Sequence, residues 1–433
     1  MNASHTGWVR GALAVAVGVV VLAACTRSGG GDDGRRGGRI EVLAVWSGDE
    51  QEQFQRVAAA FERKTGVTVG YSSTGNGVAT ELDTRFADGR VPDVAFLPQP
   101  GLLRRLAGEG RLVALDDATE DAVAQNYASV WRALGSVGGR LYGVWFKAAN
   151  KSLVWYNVGA FELAGVVPPE DLDRLVEVGR TLTTSGIPAF SVGGADGWTL
   201  TDWFENLYLR TAGPEKYDLL ADHRIPWTDG SVKDTLRLLD RVLDPSLLAG
   251  GTDDALRTPF DASVEKVFRT PPVAAMVFEG DFVGGVVLAR TKAQLGVNAD
   301  VFPFPSVGAS APGVVGGGDA AVLLRSSAAG RAFVRYLASP EAAAIWAGQG
   351  GFVSPNRNLD ISVYPEEITR SVARRLLDAG DDFRFDLSDL QPAAFGGTPD
   401  RGMQRDLRDF LRDRDVDTTA ARLEAGARAA FGG

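Results

Sequence analysis

Between Arg39 and Leu97 the chain alternates short β-branched runs with amphipathic helical ones, and this alternation constrains its fold more than any other feature. Ile40-Glu41-Val42-Leu43-Ala44-Val45-Trp46 reads as a strand, and Ser47-Gly48-Asp49-Glu50 starts a helix. Phe54, Val57, Ala58 and Phe61 give that helix an apolar stripe at 3.6-residue spacing, with Ser47 or Asp49 available as a cap. Lys64-Thr65-Gly66 ends it, and Val67 to Tyr71 is the next strand. A second helix over about 78–88 leads to a third strand at Asp93 to Leu97. Strands alternating with helices imply an open α/β sheet, in which ligands sit at the carboxyl ends of the strands.

Beyond residue 150 the alternation is less regular. Helical patterns occupy about 172–183, 200–211, 231–244 and 264–268, and a buried strand is expected at 273–278. Two consecutive helices are expected over 327–338 and 340–347, with Pro340 in a first turn, and the tail from Thr398 to Ala430 reads as charged amphipathic helix. At 433 residues, two domains are the natural expectation. No internal repeat is visible.

The charge balance narrows the partners. A net charge of −10 provides no basic field for a nucleic acid. One cysteine, Cys25, and two histidines, His5 and His223, cannot build a Cys/His zinc site or a disulfide. His223 lies between Asp222 and Arg224 and reads as a solvated loop residue. Neither a metal nor a cofactor is expected.

Arg10 followed by an apolar run from Gly11 to Ala24 has the form of an export signal, too short to span a bilayer comfortably. Leu22-Ala23-Ala24-Cys25 looks like a bacterial lipobox, with cleavage before a cysteine that then carries acyl chains. Thr26 to Gly38, rich in Gly, Asp and Arg, reads as a flexible tether. The expected location is extracytoplasmic, on the outer face of the cell membrane, held by lipid on Cys25.

Six stretches concentrate polar, glycine and aromatic residues: 46–50, 146–151, 193–198, 278–282, 316–319 and 351–357. Carboxylates and amides match paired hydroxyls, Arg adds a rigid donor fork, and Trp offers a flat apolar face. That mixture suits a neutral polyhydroxylated ligand. Each stretch also has a plainer reading. Trp46 reads as core or contact, Asp49 and Glu50 as ligand groups or first-turn acids, and Gly316–Gly318 as a ligand loop or a turn without a phosphate-loop signature. Glu279 and Asp281, two apart, share a face of an extended chain; they read as a glycosidase-like carboxylate pair or as loop acids.

Lipobox, strand-helix-strand with Trp46-x-Gly48-x-Glu50, and Pro92-Asp93-Val94 together resemble family 1 extracellular solute-binding proteins, the carbohydrate-binding receptors of ABC importers. FKAANKSLVWYN (146–157), GGADGWTLTDWFENLYLRTAGPEKYD (193–218), AAMVFEGDF (274–282), VVGGGD (314–319) and DLSDLQPAAFGG (386–397) resemble the alpha-glucoside-binding subgroup. The resemblance implies a two-lobed periplasmic-binding-protein-like α/β fold, with a hinge and an interlobe ligand cleft, monomeric and docking on permease subunits. It places lobe one at 39–150 and 297–326 and lobe two at 151–296 and 327–433, with crossings near Asn150, Gly296 and Ser326. It implies ligand roles for Asp49, Glu50, Gln99, Asn150, Glu279, Asp281, Gly317, Gly318, Asp319 and Arg357. Gly280 stands where relatives often set a Trp, so Trp198 becomes the expected stacking platform. Trp46 and Lys147 join the set from local chemistry. The expected function is capture of a sugar, an alpha-glucoside or related oligosaccharide, without catalysis. The alternatives are a secreted glycoside hydrolase using Glu279 and Asp281, and a receptor for a non-sugar solute such as a polyamine.

Overall fold

Strand β1 (Arg39–Ala44) is followed by helix α1 (Gly48–Thr65), strand β2 (Thr68–Ser73), helix α2 (Val78–Ala87) and strand β3 (Val94–Leu97), the order that the alternation predicts, and then by helix α3 (Pro100–Gly108). The coordinates are a computed structural model describing residues 38–310 and 313–432. The signal segment, Cys25 and all but the last residue of the tether lie outside the described residues. β1 pairs in parallel with β2 and with β3. Gly66, at φ 75°, closes α1 in the left-handed region that glycine reaches without strain.

A small hairpin, β4 (Ser136–Val137) and β5 (Arg140–Leu141), precedes the long strand β6 (Gly143–Asn150). Next come β7 (Leu153–Asn157), β8 (Met276–Phe278), β9 (Ala299–Pro303), β10 (Val314–Leu323) and β11 (Phe383–Phe385). β6 and β10 pair antiparallel from Gly143↔Val322 to Asn150↔Gly316, and β10 also pairs with β3 and β11, completing a six-stranded mixed sheet. β8, β7 and β9 form a separate antiparallel sheet.

Two hydrophobic clusters hold these layers. The first surrounds Phe54, whose ring lies within aromatic contact of Trp46, Tyr71, Phe96, Phe146, Phe333 and Trp346. The second surrounds Trp203, Phe204, Tyr208 and Trp227 beneath the helix Trp198–Ala221 and the helical pair Gly402–Asp413 and Val416–Phe431. β7 lies between them: Leu153 and Trp155 enter the first cluster and Val154 the second, as the two-residue period of a strand requires.

Several expectations change here. The segment 327–433 does not pack as one piece. Phe333, Val334, Leu337, Trp346 and Val372 belong to the first cluster, while Leu387, Phe395, Met403 and Phe410 belong to the second. Phe302 and Phe304, expected in lobe one, are buried in the second. An amphipathic stripe specifies that a helix is buried, not against which sheet. The charged tail is two helices, broken where Arg414 adopts φ 58° and Asp415 caps the second. The helical reading that stops at Thr211 meets a continuation: non-helical Gly213 followed by Pro214 kinks the element, which runs on to Ala221. His223 is not a solvated loop residue; its Nε2 lies 3.2 Å from Glu424 and its ring packs on Phe431. Among the described residues no helix is long and apolar enough to cross a membrane.

Truncating Phe54, which is fully buried at the centre of the first cluster, removes an aromatic ring from a packed site. Phe54→Ala is expected to lower the unfolding free energy by about 3–5 kcal/mol, measured by urea denaturation.

Candidate functional site

A cavity of about 640 Å³ opens where the carboxyl ends of β1 and β3 look towards the second cluster. One wall is Val45 after β1, residues 77–80 at the start of α2, and Pro98 and Gln99 ahead of α3. The other comprises Ala195, Asp196 and Trp198, the turn at Asp386, Ser388 and Asp389, and residues 397–400 with Gln404. Lys151, just past the end of β6, also lines it.

The backbone supplies donors. α2, α3, the helix Trp198–Ala221 and the helix Gly402–Asp413 all begin on these walls, and none is capped by its N-cap side chain. The N–H groups of Trp198 and Met403 are already bonded, to the carbonyls of Asp196 and Phe395, but each helix start presents a positive dipole end. Gly197, at φ 76° and with the Gln404 side chain against its missing Cβ, makes the turn that brings Trp198 to the wall. The half-buried Trp198 ring packs on Phe260 and Phe282 at 5.2 and 5.9 Å.

At and behind this wall, Lys151 is the only cation among the described residues in a cluster of five carboxyls, those of Asp202, Glu205, Glu279, Asp386 and Asp389. Its Nζ bonds Asp202 Oδ1 at 3.2 Å, forms a short contact with Asp386, and lies 5.5 Å from the Trp198 ring centre. Glu205 accepts the N–H groups of Leu387 and Ser388 at 2.8 and 3.0 Å, and Asp386 accepts from Ser388 Oγ at 2.6 Å. Burial disfavours the Lys151 ammonium, but the charges of Asp202, Asp386 and Asp389 outweigh it and hold its pKa well above the usual value. Burial lifts Asp202 to about 7, with Lys151 opposing and Asp386 adding to the rise. For Asp386 burial is overcome by Lys151, and its carboxyl stays below the ordinary range. Burial and the charges of Asp386 and Asp202 push Glu205 well up. Asp202, Glu205 and Asp386 have oxygens close enough to share a metal, but Lys151 and the two backbone N–H groups already occupy that space.

A second polar group lies on the first cluster. Lys147 contacts Glu50 closely and sits opposite Asp319 in the β6–β10 register, 5.5 Å from the Trp346 ring. Burial opposes its charge, and Glu50 and Asp319 raise its pKa past that penalty. Asp319 accepts from Trp46 Nε1 at 3.1 Å; burial lifts its carboxyl to about 6 against the pull of Lys147. Asp281 accepts the Asn150 N–H at 2.6 Å and is likewise lifted by burial to about 6.

Of the residues singled out from sequence, Gln99 and Trp198 line the cavity. Glu50, Lys147, Asp319, Asp281 and Asn150 come together, but as the tie that holds β6, β10 and the segment after β8, outside the cavity lining. Trp46 is core, 2% exposed and packed on Phe54, Phe96 and Trp346. Asp49 is an exposed first-turn acid of α1. Gly317 and Gly318 are neither turn nor ligand loop; they lie inside β10, where a Cβ on Gly318 would strike the Lys147 carbonyl and one on Gly317 would meet the Lys151 stem. Arg357 lies outside the cavity lining and binds the carbonyls of Ala124 and Gln125 at the last turn of the helix Asp117–Asn126. Glu279 is 1% exposed and lies behind Lys151, not on the wall.

Lys151, Asp196, Asp386, Asp389 and Gln404 also line the cavity, beyond the residues that the sequence singles out as ligand groups. The signal for the first four was present, since they fall inside the 146–157, 193–218 and 386–397 stretches; nothing in the sequence joined those stretches into one wall.

The chain belongs to the bacterial extracellular solute-binding protein family, whose model matches residues 47–344. Two relatives are particular matches. It is 34% identical over 391 residues to the osmoprotective compounds-binding protein GgtB of Synechocystis sp., covering 88% of this chain and 90% of that one. It is 33% identical over 377 residues to the alpha-glucosides-binding periplasmic protein AglE of Rhizobium meliloti, covering 83% and 81%. The solved structure of the bacterial solute receptor AcbH has the same fold, with a TM-score of 0.80 at 18% identity over 92% of this chain and 100% of that one. The two-lobed architecture implied by the motifs is therefore the observed one. The hydrolase alternative falls: these relatives are binding proteins, and Glu279 and Asp281 face different partners away from the cavity.

Two substitutions separate structure from binding. Arg357→Ala is expected to cost about 1 kcal/mol of stability by urea denaturation, through loss of hydrogen bonds to a helix end, and to leave ligand affinity unchanged by calorimetry. Lys151→Met strands buried carboxylates and is expected to cost about 3–5 kcal/mol at pH 7.5. That loss should shrink at pH 5, where the carboxyls can take up protons instead.

Proposed function

We propose that this protein is the capture component of an ABC importer for an alpha-glucoside or related small oligosaccharide. It closes its lobes over the sugar and presents the closed form to a membrane permease. The observation that carries this reading is the cavity's composition. An indole face in Trp198 stands beside acceptors from Asp196, Asp386, Asp389, Gln99 and Gln404, and beside donors from uncapped helix starts and Lys151. A sugar ring offers an apolar C–H face and hydroxyls that both donate and accept, so each surface has a partner. The names of GgtB and AglE point to the same chemical neighbourhood, osmoprotective compounds in one and alpha-glucosides in the other.

Capture becomes transport only if the ligand favours the closed state by its differential contacts. Gln99 on one wall already lies against Gly397 on the other, where an added Cβ would strike its amide, so closure has a short path. Cys25, with its lipobox, supports anchoring at the outer face of the membrane, which raises the effective concentration near the permease.

A thermal-shift screen of maltose, trehalose, sucrose and glucose, followed by calorimetry, tests the ligand class. Trp198→Ala is expected to weaken the best sugar by about tenfold or more, the scale of an aromatic contact of about 1.5 kcal/mol. X-ray scattering is expected to show compaction on adding that sugar; no compaction and no thermal shift with any sugar would refute the reading. Cys25→Ser is expected to move the protein from the membrane fraction to the medium.

A further inference from the structure

Glu279 is left over by the site as described. It is 1% exposed and sits immediately behind Lys151, yet among the described residues no N–H or O–H donates to either of its carboxyl oxygens. The neighbouring Asp202, at 0% exposure, has the same deficit at Oδ2, while its Oδ1 is held by Lys151. Buried polar atoms without partners are rare, and two carboxyl groups brought together with no donor between them repel unless one carries a proton. The side chains of Glu279 and Asp202 are within hydrogen-bonding reach of each other, so a single proton satisfies an orphaned oxygen on each.

We propose that Glu279 is a positioning residue for ligand capture: it shares one proton with Asp202 behind the cavity, and that proton keeps the Lys151 ammonium forward, between Asp386 and the Trp198 ring. The proposal rests on the sugar-cavity reading for its functional consequence, though not for the proton itself.

The charged groups around Glu279 decide the direction. Lys151 faces it from the crossing after β6, Asp202 from the helix Trp198–Ala221, and Asp386 from the turn after β11. Glu205 and Asp389 complete the ring of carboxyls around Lys151. Asp281, on Glu279's own segment, is turned to the Asn150 N–H, and Arg210 spends its guanidinium on Asn206 and the carbonyls of Phe304 and Gly313. With the proton in place, the Glu279–Asp202 pair carries one negative charge and Lys151 is divided between Asp202 and Asp386. When the proton leaves to solvent, the pair carries two negative charges, and the ammonium is drawn back from Asp386 and from the indole. The cavity then loses its one side-chain cation and the Trp198 platform loses its neighbour, so capture weakens as pH rises.

Burial and the Asp202 charge push the Glu279 pKa well above its ordinary value. The folded chain therefore holds a proton that the unfolded chain releases above about pH 4.3. Stability from this group is full below that pH and is lost as pH rises through the raised folded value.

Three measurements on the full-length protein and its Glu279→Gln variant test this. NMR of lysine side chains, with the Lys151 signal assigned from Lys151→Arg, should show that signal moving between pH 6 and 8.5 in the parent and staying still in the variant. Urea midpoints should fall over the same range in the parent and fall less in the variant. Calorimetry with maltose and trehalose should show affinity weakening by about tenfold from pH 6 to 8.5 in the parent, the equivalent of one pKa unit of linkage, and by less than about twofold in the variant. Should Glu279→Gln fail to fold, Asp202→Asn removes the same shared proton and is read in the same way. Identical Lys151 titration in parent and variant overturns the proposal, as does an equal pH slope of sugar affinity in both. If neither disaccharide binds at any pH, the sugar reading fails, and the ligand-free Lys151 signal still decides whether Glu279 positions it.

Discussion

The ion pairs of Lys151 with Asp202 and Asp386 are the interaction on which the site depends. They join three distant pieces of chain: the crossing after β6, a helix of the second cluster, and the turn after β11 where the chain leaves the first cluster for the last time. Ser152 and Asn206 reinforce the same junction, with Ser152 Oγ bonded to Asn206 Oδ1 at 2.6 Å and accepting the Val315 N–H at 2.9 Å. A buried ammonium among carboxyls stabilises little by itself, because desolvation cancels most of the attraction. Removing one partner, by contrast, leaves an uncompensated buried charge, so the three pieces of chain are held to one another.

The second group, around Lys147, repeats the device four residues earlier, within β6 itself. Lys147 and Lys151 each lie 5.5 Å from an indole and each is surrounded by carboxylates, Glu50 and Asp319 in the first case and Asp202 and Asp386 in the second. Lys147 ties α1 to β10 within the first cluster, whereas Lys151 faces the cavity. Two side chains that look equivalent in a linear reading therefore divide into a brace and a wall.

Glycine plays a comparable double part. In the sequence, Gly316–Gly318 suggests a loop that approaches a ligand. In the fold the same absence of Cβ lets β10 pack on the β6 carbonyls, and it is Gly197 that serves the cavity by turning Trp198 into it. The demand for close approach is legible in such residues; the partner being approached is not.

The sequence by itself determined the strand–helix order from β1 to β3, because the apolar spacing of Phe54, Val57 and Phe61 marks a helix and the β-branched runs mark strands. It also determined the family, because long motifs such as 146–157 and 193–218 carry it, and it placed Gln99 and Trp198 at the cavity. Only the tertiary structure decided that Arg357 ends a helix, that Trp46 is core, that Glu279 stands behind a lysine, and that residues 328–378 pack on the first sheet. The physical reason is the same in each case. Local periodicity reports whether a residue is buried, but its partner is chosen by strands and helices hundreds of residues away, and the compensation of charge around Lys151 exists only once they have met.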